Sequence, residues 1–258
     1  MIPSRIALVG SGNVASHLGR ALGNRIGIVV SRNPGHAQAL AKSACISQSG
    51  GYEDLRAYRP EMVIVSVADH ALAEVAQSIA DLPGEPLVVH TSGTMPKESL
   101  ACVSPRTGVL YPLQTFSKDV AVDMSRVPFF TEAQNAEDLK TVDIVAHSLS
   151  ATVHHADAAK RQVLHIAGVF SSNFVNILLE MVEDILAGAD YPLDTVQPLV
   201  EATVAKAFEA GPHAAQTGPA RRGDTAVMAK HAAALPEDKR AVYELLSQYI
   251  VKSHTLAK

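Results

Sequence analysis

Apolar residues in the first 130 or so positions come in short runs separated by Gly, Pro and Ser. Arg5–Val9, Ile26–Ser31, Met62–Val67, Leu87–Thr91, Gly108–Leu113 and Val127–Thr131 read as strands. Two of them, Ile6-Ala7-Leu8-Val9 and Met62-Val63-Ile64-Val65, are continuously apolar. That pattern belongs to strands buried on both faces of a parallel sheet. Helical patterns fill the gaps at Val14–Leu22, Pro34–Ser43 and His70–Ala80. Strand and helix alternating at this pitch predict βαβ units and a doubly wound sheet.

From residue 133 the pattern is helical throughout. Ala133–Ser148 reads as a connecting helix, followed by a run without proline from Ala156 to about Gly188. Asp194–Ala210, Asp224–Ala234 and Pro236–Ser253 complete the set, the last with Pro236 at its first position and Glu237 and Asp238 in its first turn. On the long run, Ile166, Phe170, Phe174, Ile177, Met181 and Ile185 make an apolar stripe expected to be core. Beside it His165, Val169, Ser172, Asn173 and Asn176 fall on one face at α-helical spacing. The expectation is an α/β chain in two domains, a doubly wound sheet over 1–150 and helices over 151–258.

Composition narrows the function classes. The 258 residues carry 22 Lys and Arg against 26 Asp and Glu, a net charge of −4, with no basic excess for nucleic acid or an anionic membrane. Aromatic residues are 5% and Trp is absent, which speaks against a base-stacking surface. No uninterrupted apolar run reaches 18 residues, so no membrane span is expected. Cys45 and Cys102 form neither a disulfide framework nor a zinc spacing, and no metal site is expected. The start of the chain runs straight into a strand-like segment without a leader pattern, which leads to an expectation of a reducing cytoplasm.

The first motif is Gly10-Ser11-Gly12-Asn13-Val14-Ala15, a G-x-G-x-x-A between an apolar strand and a helix. Gly10 permits a tight turn, Gly12 lets the backbone approach a pyrophosphate, and Ala15 lets the helix pack close to the strand. The helix N-terminus then favours negative charge. An acidic residue about 20 positions on would bond the ribose 2′-hydroxyl of NAD. Ser31-Arg32-Asn33 stands there instead. A hydroxyl beside a guanidinium suits a 2′-phosphate, so NADP(H) is expected.

Two later strands end in Val65-Ser66-Val67-Ala68-Asp69-His70 and His90-Thr91-Ser92-Gly93-Thr94. Carboxyl ends of parallel strands are where ligands sit, which places Ser66, Ala68, Asp69, Thr91, Ser92 and Thr94 toward a cofactor. Asp69 either faces the cofactor or caps the helix that follows, and His90 is read as packing or bonding locally rather than acting as a base. Tyr111-Pro112-Leu113-Gln114-Thr115-Phe116 ends another strand. In Thr217-Gly218-Pro219-Ala220-Arg221-Arg222-Gly223-Asp224 the paired arginines offer an anion clamp, and Asp224 can cap the next helix.

Taken in order, Gly10–Ala15, Ser31–Asn33, Val65–His70, His90–Thr94, Tyr111–Phe116, Leu164–Phe174 and Thr217–Asp224 resemble one bacterial family. Its members are Rossmann-like proteins ending in a domain of unknown function numbered 2520, often labelled NADP oxidoreductase, coenzyme F420-dependent. The resemblance covers nearly the whole chain, and the last two motifs are the most specific to it. It implies a branch of the 6-phosphogluconate dehydrogenase superfamily: a Rossmann domain, an all-helical second domain, NADP binding and a homodimer formed through the helices. The label leaves open a deazaflavin of the F420 type as hydride partner. Many relatives have His where this chain has Tyr111, so Tyr111 and His165 both stand as proton donors. The superfamily's catalytic Lys does not carry over, because no Lys lies between Lys160 and Lys206.

Two functions follow from this reading. One is an NADP-dependent reductase or dehydrogenase of a small-molecule, anionic substrate held between the domains, with His165 as proton donor, Asn173 as substrate polariser and Arg222 as anion clamp. The other is a non-catalytic NADP(H)-binding redox sensor or assembly protein.

Overall fold

A computed structural model describes residues 2–255. An eight-stranded sheet has the order β3-β2-β1-β4-β5-β6-β7-β8. The strands are β1 (Ile6–Val9), β2 (Ile26–Val30), β3 (Gln48–Gly50), β4 (Met62–Val65), β5 (Leu87–His90), β6 (Thr107–Pro112), β7 (Phe129–Ala133) and β8 (Val153–His155). β1 to β6 pair in parallel; β7 runs antiparallel to β6, and β8 parallel to β7. Alternate residues of the central strands feed two cores. Ile6, Leu8, Met62, Ile64, Leu87 and Val89 face one layer, and Ala7, Val9, Val63, Val65 and Val88 the other. Burial on both faces is why these strands read as unbroken apolar runs.

The helices of this part are α1 (Asn13–Leu22), α2 (Pro34–Ser43), α3 (Tyr52–Tyr58), α4 (Asp69–Ser78), α5 (Ala136–His147) and α6 (Ala158–Gly168). Side chains fix several starts: Asn33 caps α2, Asn135 caps α5 and Asp157 caps α6. The chain then makes a π-helical turn, Val169–Asn173, and continues as α7 (Phe174–Ala187), α8 (Gln197–Ala210), α9 (Pro212–Ala215), α10 (Pro219–Arg222), α11 (Thr225–Ala234) and α12 (Glu237–Thr255). Asp224 caps α11, as its sequence position suggests.

Two expectations need revision. The sheet does not end before residue 150: β8 adds to its edge, and the chain divides into compact units Met1–Asn173 and Phe174–Lys258. The apolar stripe of the long helical run is not core within the single chain, since Ile166, Ile177 and Ile185 are exposed. Among the described residues one helix, Ala158–Ala187, 30 residues long with a stretch of mean hydropathy 1.4, is long and apolar enough by length and composition alone to cross a membrane. Polar residues punctuate this helix, so it holds no uninterrupted apolar run of 18 residues.

Candidate functional site

Strand order reverses at β1, which has β2 on one side and β4 on the other. In an open α/β sheet the crevice beyond the strand ends at this point is the ligand position. Gly10 sits there with φ 113°, and a Cβ on it would lie 2.1 Å from the Ser66 carbonyl oxygen. Only glycine satisfies both that φ and that contact. Gly12 is different: nothing lies within 4 Å of where its Cβ would be, and it begins α1 without a side-chain cap. The open side above Gly12 and the uncapped amides of α1 fit a pyrophosphate. Asn13 is turned to another task, donating from Nδ2 to the Phe116 carbonyl at 2.8 Å, which ties α1 to the segment after β6. Val14 packs against the core.

At the end of β2, Ser31 Oγ lies 3.3 Å from Ser11 Oγ, joining the two turns. Asn33 caps α2 by accepting from the Gly35 and His36 amides, and Arg32 is exposed between them. The Tyr52 hydroxyl accepts a hydrogen bond from the Arg32 backbone, and burial, the largest influence, raises the Tyr52 pKa. Sequence reasoning missed Tyr52, because α3 and the short β3 before it carry too little pattern to be seen. The group set fits NADP(H): a hydroxyl and a free-reaching guanidinium with no carboxylate at the strand end.

The ends of β4 and β5 carry two sets of hydrogen-bonded polar groups. Thr91 Oγ1 donates to Ser66 Oγ at 3.1 Å. Ser92 Oγ accepts from the Thr94 and Met95 amides, both at 3.1 Å. Thr94 Oγ1 donates to Asp69 Oδ2 at 2.5 Å. Asp69 therefore does not cap α4, whose cap position is Ala68; its carboxylate reaches across to the β5 loop. His90 is fixed beneath this loop. The Ser92 amide donates to its Nδ1 at 3.2 Å, so Nε2 carries the proton and donates to the Pro96 carbonyl at 3.1 Å. Burial pushes its pKa down to about 4, so it stays neutral.

Tyr111, on β6, is 8% exposed, and its ring lies against Gly93, where a Cβ would come within 2.7 Å of it. Its hydroxyl stands 3.4 Å from His165 Nδ1 on α6. Burial, and then the Asp69 carboxylate, raise the Tyr111 pKa. The two candidate proton donors thus meet as a pair, next to the polar groups of the β4 and β5 ends. Three residues after Tyr111, Gln114 Oε1 accepts from the adjacent Thr115 amide. Asn173 closes the π turn, which takes one residue more than an α turn, so its α-helical alignment with His165 does not hold. Arg222 ends α10 and is exposed.

A fully buried cation supports this arrangement. Arg161, one turn before His165, donates through Nη1 to Glu132 and to the Ala156 carbonyl, and through Nη2 to the Met95 carbonyl at 2.9 Å. Lys97 also pairs with Glu132, at 3.0 Å. Start of α6, end of β7 and the β5 loop are thereby joined. Nothing in the local sequence around Arg161 signals this role.

Known proteins match in the same sense. Residues 5–93 match the family described as NADP oxidoreductase coenzyme F420-dependent, and residues 127–250 match the domain of unknown function DUF2520. No curated protein matches. Among solved structures, a Bacteroides fragilis protein provisionally described as an NADP oxidoreductase is 37% identical, with TM-score 0.87 over 97% of this chain and 98% of that one. A Thermotoga maritima protein is 22% identical, with TM-score 0.76 over 96% and 99%. A reductive aminase from Aspergillus terreus, in complex with NADPH and ethyl-5-oxohexanoate, shares the fold at 14% identity, with TM-score 0.70 over 98% and 95%. Sheet, glycine turn and full-length similarity agree that the fold is that of NAD(P)-dependent oxidoreductases, and the chain belongs to the family of NADP-oxidoreductase-like proteins that carry the DUF2520 domain.

Proposed function

We propose that this protein is an NADP(H)-dependent reductase or dehydrogenase of a small molecule. The observation that carries this reading is the Tyr111–His165 pair, 3.4 Å apart at the carboxyl ends of the parallel strands. Bound NADPH would supply a hydride. Gly10, Ser11, Gly12, Asn13 and Val14 would form the phosphate turn, Ser31 and Arg32 the 2′-phosphate subsite, and Ala68, Asp69, Thr91 and Ser92 the wall beside the nicotinamide. The protein's own work is positioning and proton supply. Tyr111 would face the oxygen or nitrogen of the substrate double bond and protonate it as the hydride reaches the carbon, while His165 Nδ1 holds the hydroxyl in line and passes it a replacement proton from solvent. His165 is exposed and Tyr111 is not, which suits this division. Asn173 is the substrate-side group, a polariser. We further propose a homodimer, and action in a reducing cytoplasm, which the free Cys45 and Cys102 would suit.

The test follows NADPH absorbance across carbonyl, imine and deazaflavin acceptors of the F420 type. With an accepted substrate, Tyr111→Phe should lower kcat by about a hundredfold and leave the KM for NADPH near its original value. Arg32→Glu should weaken NADPH by at least about tenfold and NADH far less. Tight NADPH binding with no acceptor turned over would instead support a redox sensor or assembly protein. Equal loss of NADPH and NADH in Arg32→Glu would sink the 2′-phosphate assignment.

A further inference from the structure

Between Gly211 and Gly223 the chain carries His213, Arg221 and Arg222 and no carboxylate. Gly211 and Gly218 take φ values of 82° and 101°, turns that let the short helices α9 and α10 follow one another. α10 packs on α12. In the last turn of α12 the ring of His254 stacks on that of His213, with centroids 4.1 Å apart and planes inclined by 21°. Nδ1 of His254 is buried and has no hydrogen-bond partner among the described residues. A buried polar atom left unpaired is costly, so such an atom usually has a use.

The surroundings do not neutralise this cluster. Burial, then the charge of His213, then that of Arg221 lower the His254 pKa. Tyr249–Thr255 contains Lys252 and no acid. Asp224, just after Gly223, accepts from the Val227 amide at the start of α11, and Glu209, four residues before His213 on α8, is exposed. Lys239 and Arg240 of α12 are engaged elsewhere, with Asp184 and Asp238, and with the Ala232 and Leu235 carbonyls. His231 on α11 bonds the Tyr243 hydroxyl. Three basic side chains, one with a buried unpaired nitrogen, lie together with no ion pair to an acid among the described residues.

We propose that His213, Arg221 and His254 form an oxyanion site that takes the phosphate or carboxylate group of a small molecule. Arg221 supplies the fixed charge, and His254 Nδ1–H the buried hydrogen bond. The bound anion favours protonated histidine, so binding and proton uptake are linked. The site lies wholly within Phe174–Lys258 and does not depend on the NADP(H) reading.

The experiment uses the full chain with nitrogen-15-labelled histidines. Their side-chain resonances are followed while inorganic phosphate, and separately acetate, is added at ionic strength held constant with sodium chloride. His213 and His254 should shift saturably, and the titration midpoint of His254 should move up when the anion is bound. Saturation by phosphate alone assigns a phosphoryl ligand; saturation by acetate as well assigns carboxylates too. Arg221→Gln should weaken binding by at least about tenfold with the remaining spectrum unchanged. Lys206→Gln, which removes a charge on α8, should not. Shifts no larger than those given by sodium chloride would overturn the proposal, as would equal binding in Arg221→Gln or equal loss in Lys206→Gln.

Discussion

His90 ends β5 at 1% exposure with both ring nitrogens committed, Nδ1 accepting from Ser92 and Nε2 donating to Pro96. Burial lowers its pKa from 6.5 to about 4. The unfolded chain therefore binds more protons than the folded one between these values, and stability must fall as pH drops through that window. From pH 7 to below pH 4 the loss from this residue alone is on the order of 3 kcal/mol. Urea titrations across pH 4–7 should show it, and His90→Gln should flatten the dependence in that range. An unchanged slope in the variant would remove His90 as its source. The same residue shows what local sequence can carry. A histidine at a strand end reads as packed, and the Gly10 and Gly12 turn reads from its own spacing, because those roles are set by neighbours a few positions away. Tyr52 could not be read, since its hydroxyl acts on the backbone of Arg32, twenty residues earlier. The Tyr111–His165 pair was legible as two candidates but not as one unit, because only the packing of α6 against β6 brings them together.

Among the elements, strong periodicity was legible and weak edges were not. β1, β2, β4 and β5 are apolar on both faces and appear directly in the sequence. β3 (Gln48-Ser49-Gly50) and β8 (Val153-His154-His155) are short, polar edge strands whose existence depends on the neighbour they pair with. β8 matters to the site because the chain passes from it directly into α6, whose start Arg161 pins. A fully buried arginine is tolerated only when its donors are answered, and here Glu132 and the Ala156 and Met95 carbonyls answer most of them. Arg161→Met would leave those carbonyls and one side of Glu132 unpaired. We expect a loss of about 3–5 kcal/mol in urea unfolding. Arg161→Lys should recover only part of it, because an ammonium cannot span the same fork of acceptors. A variant within about 1 kcal/mol of the original protein would mean that the cluster contributes little to holding α6.

At the scale of the whole molecule, the distribution of buried residues is uneven in a way that composition conceals. Both hydrophobic clusters lie within Met1–Asn173. Among the described residues of Phe174–Lys258 only Ala220 is buried. Leu199, Phe208, Leu245 and Tyr249 are 68%, 90%, 67% and 73% exposed in the single chain. A helical unit with this many large apolar side chains in water forfeits about 1.5–3 kcal/mol for each one left uncovered, so another surface must cover them. The α7 helix, Phe174–Ala187, has the same character, and lipid is the alternative cover that its hydropathy would permit. A second copy of the chain fits the reading better, because a two-fold contact pairs one apolar face with its own likeness and needs no other component. Light scattering after size exclusion in detergent-free buffer should then give twice the chain mass at micromolar concentration. Phe208→Glu combined with Leu245→Glu should halve that mass and lower the melting temperature, with NADPH still bound by the sheet domain. A monomer in the unsubstituted protein would sink the dimer, and recovery only in detergent would transfer the same apolar surface to a membrane.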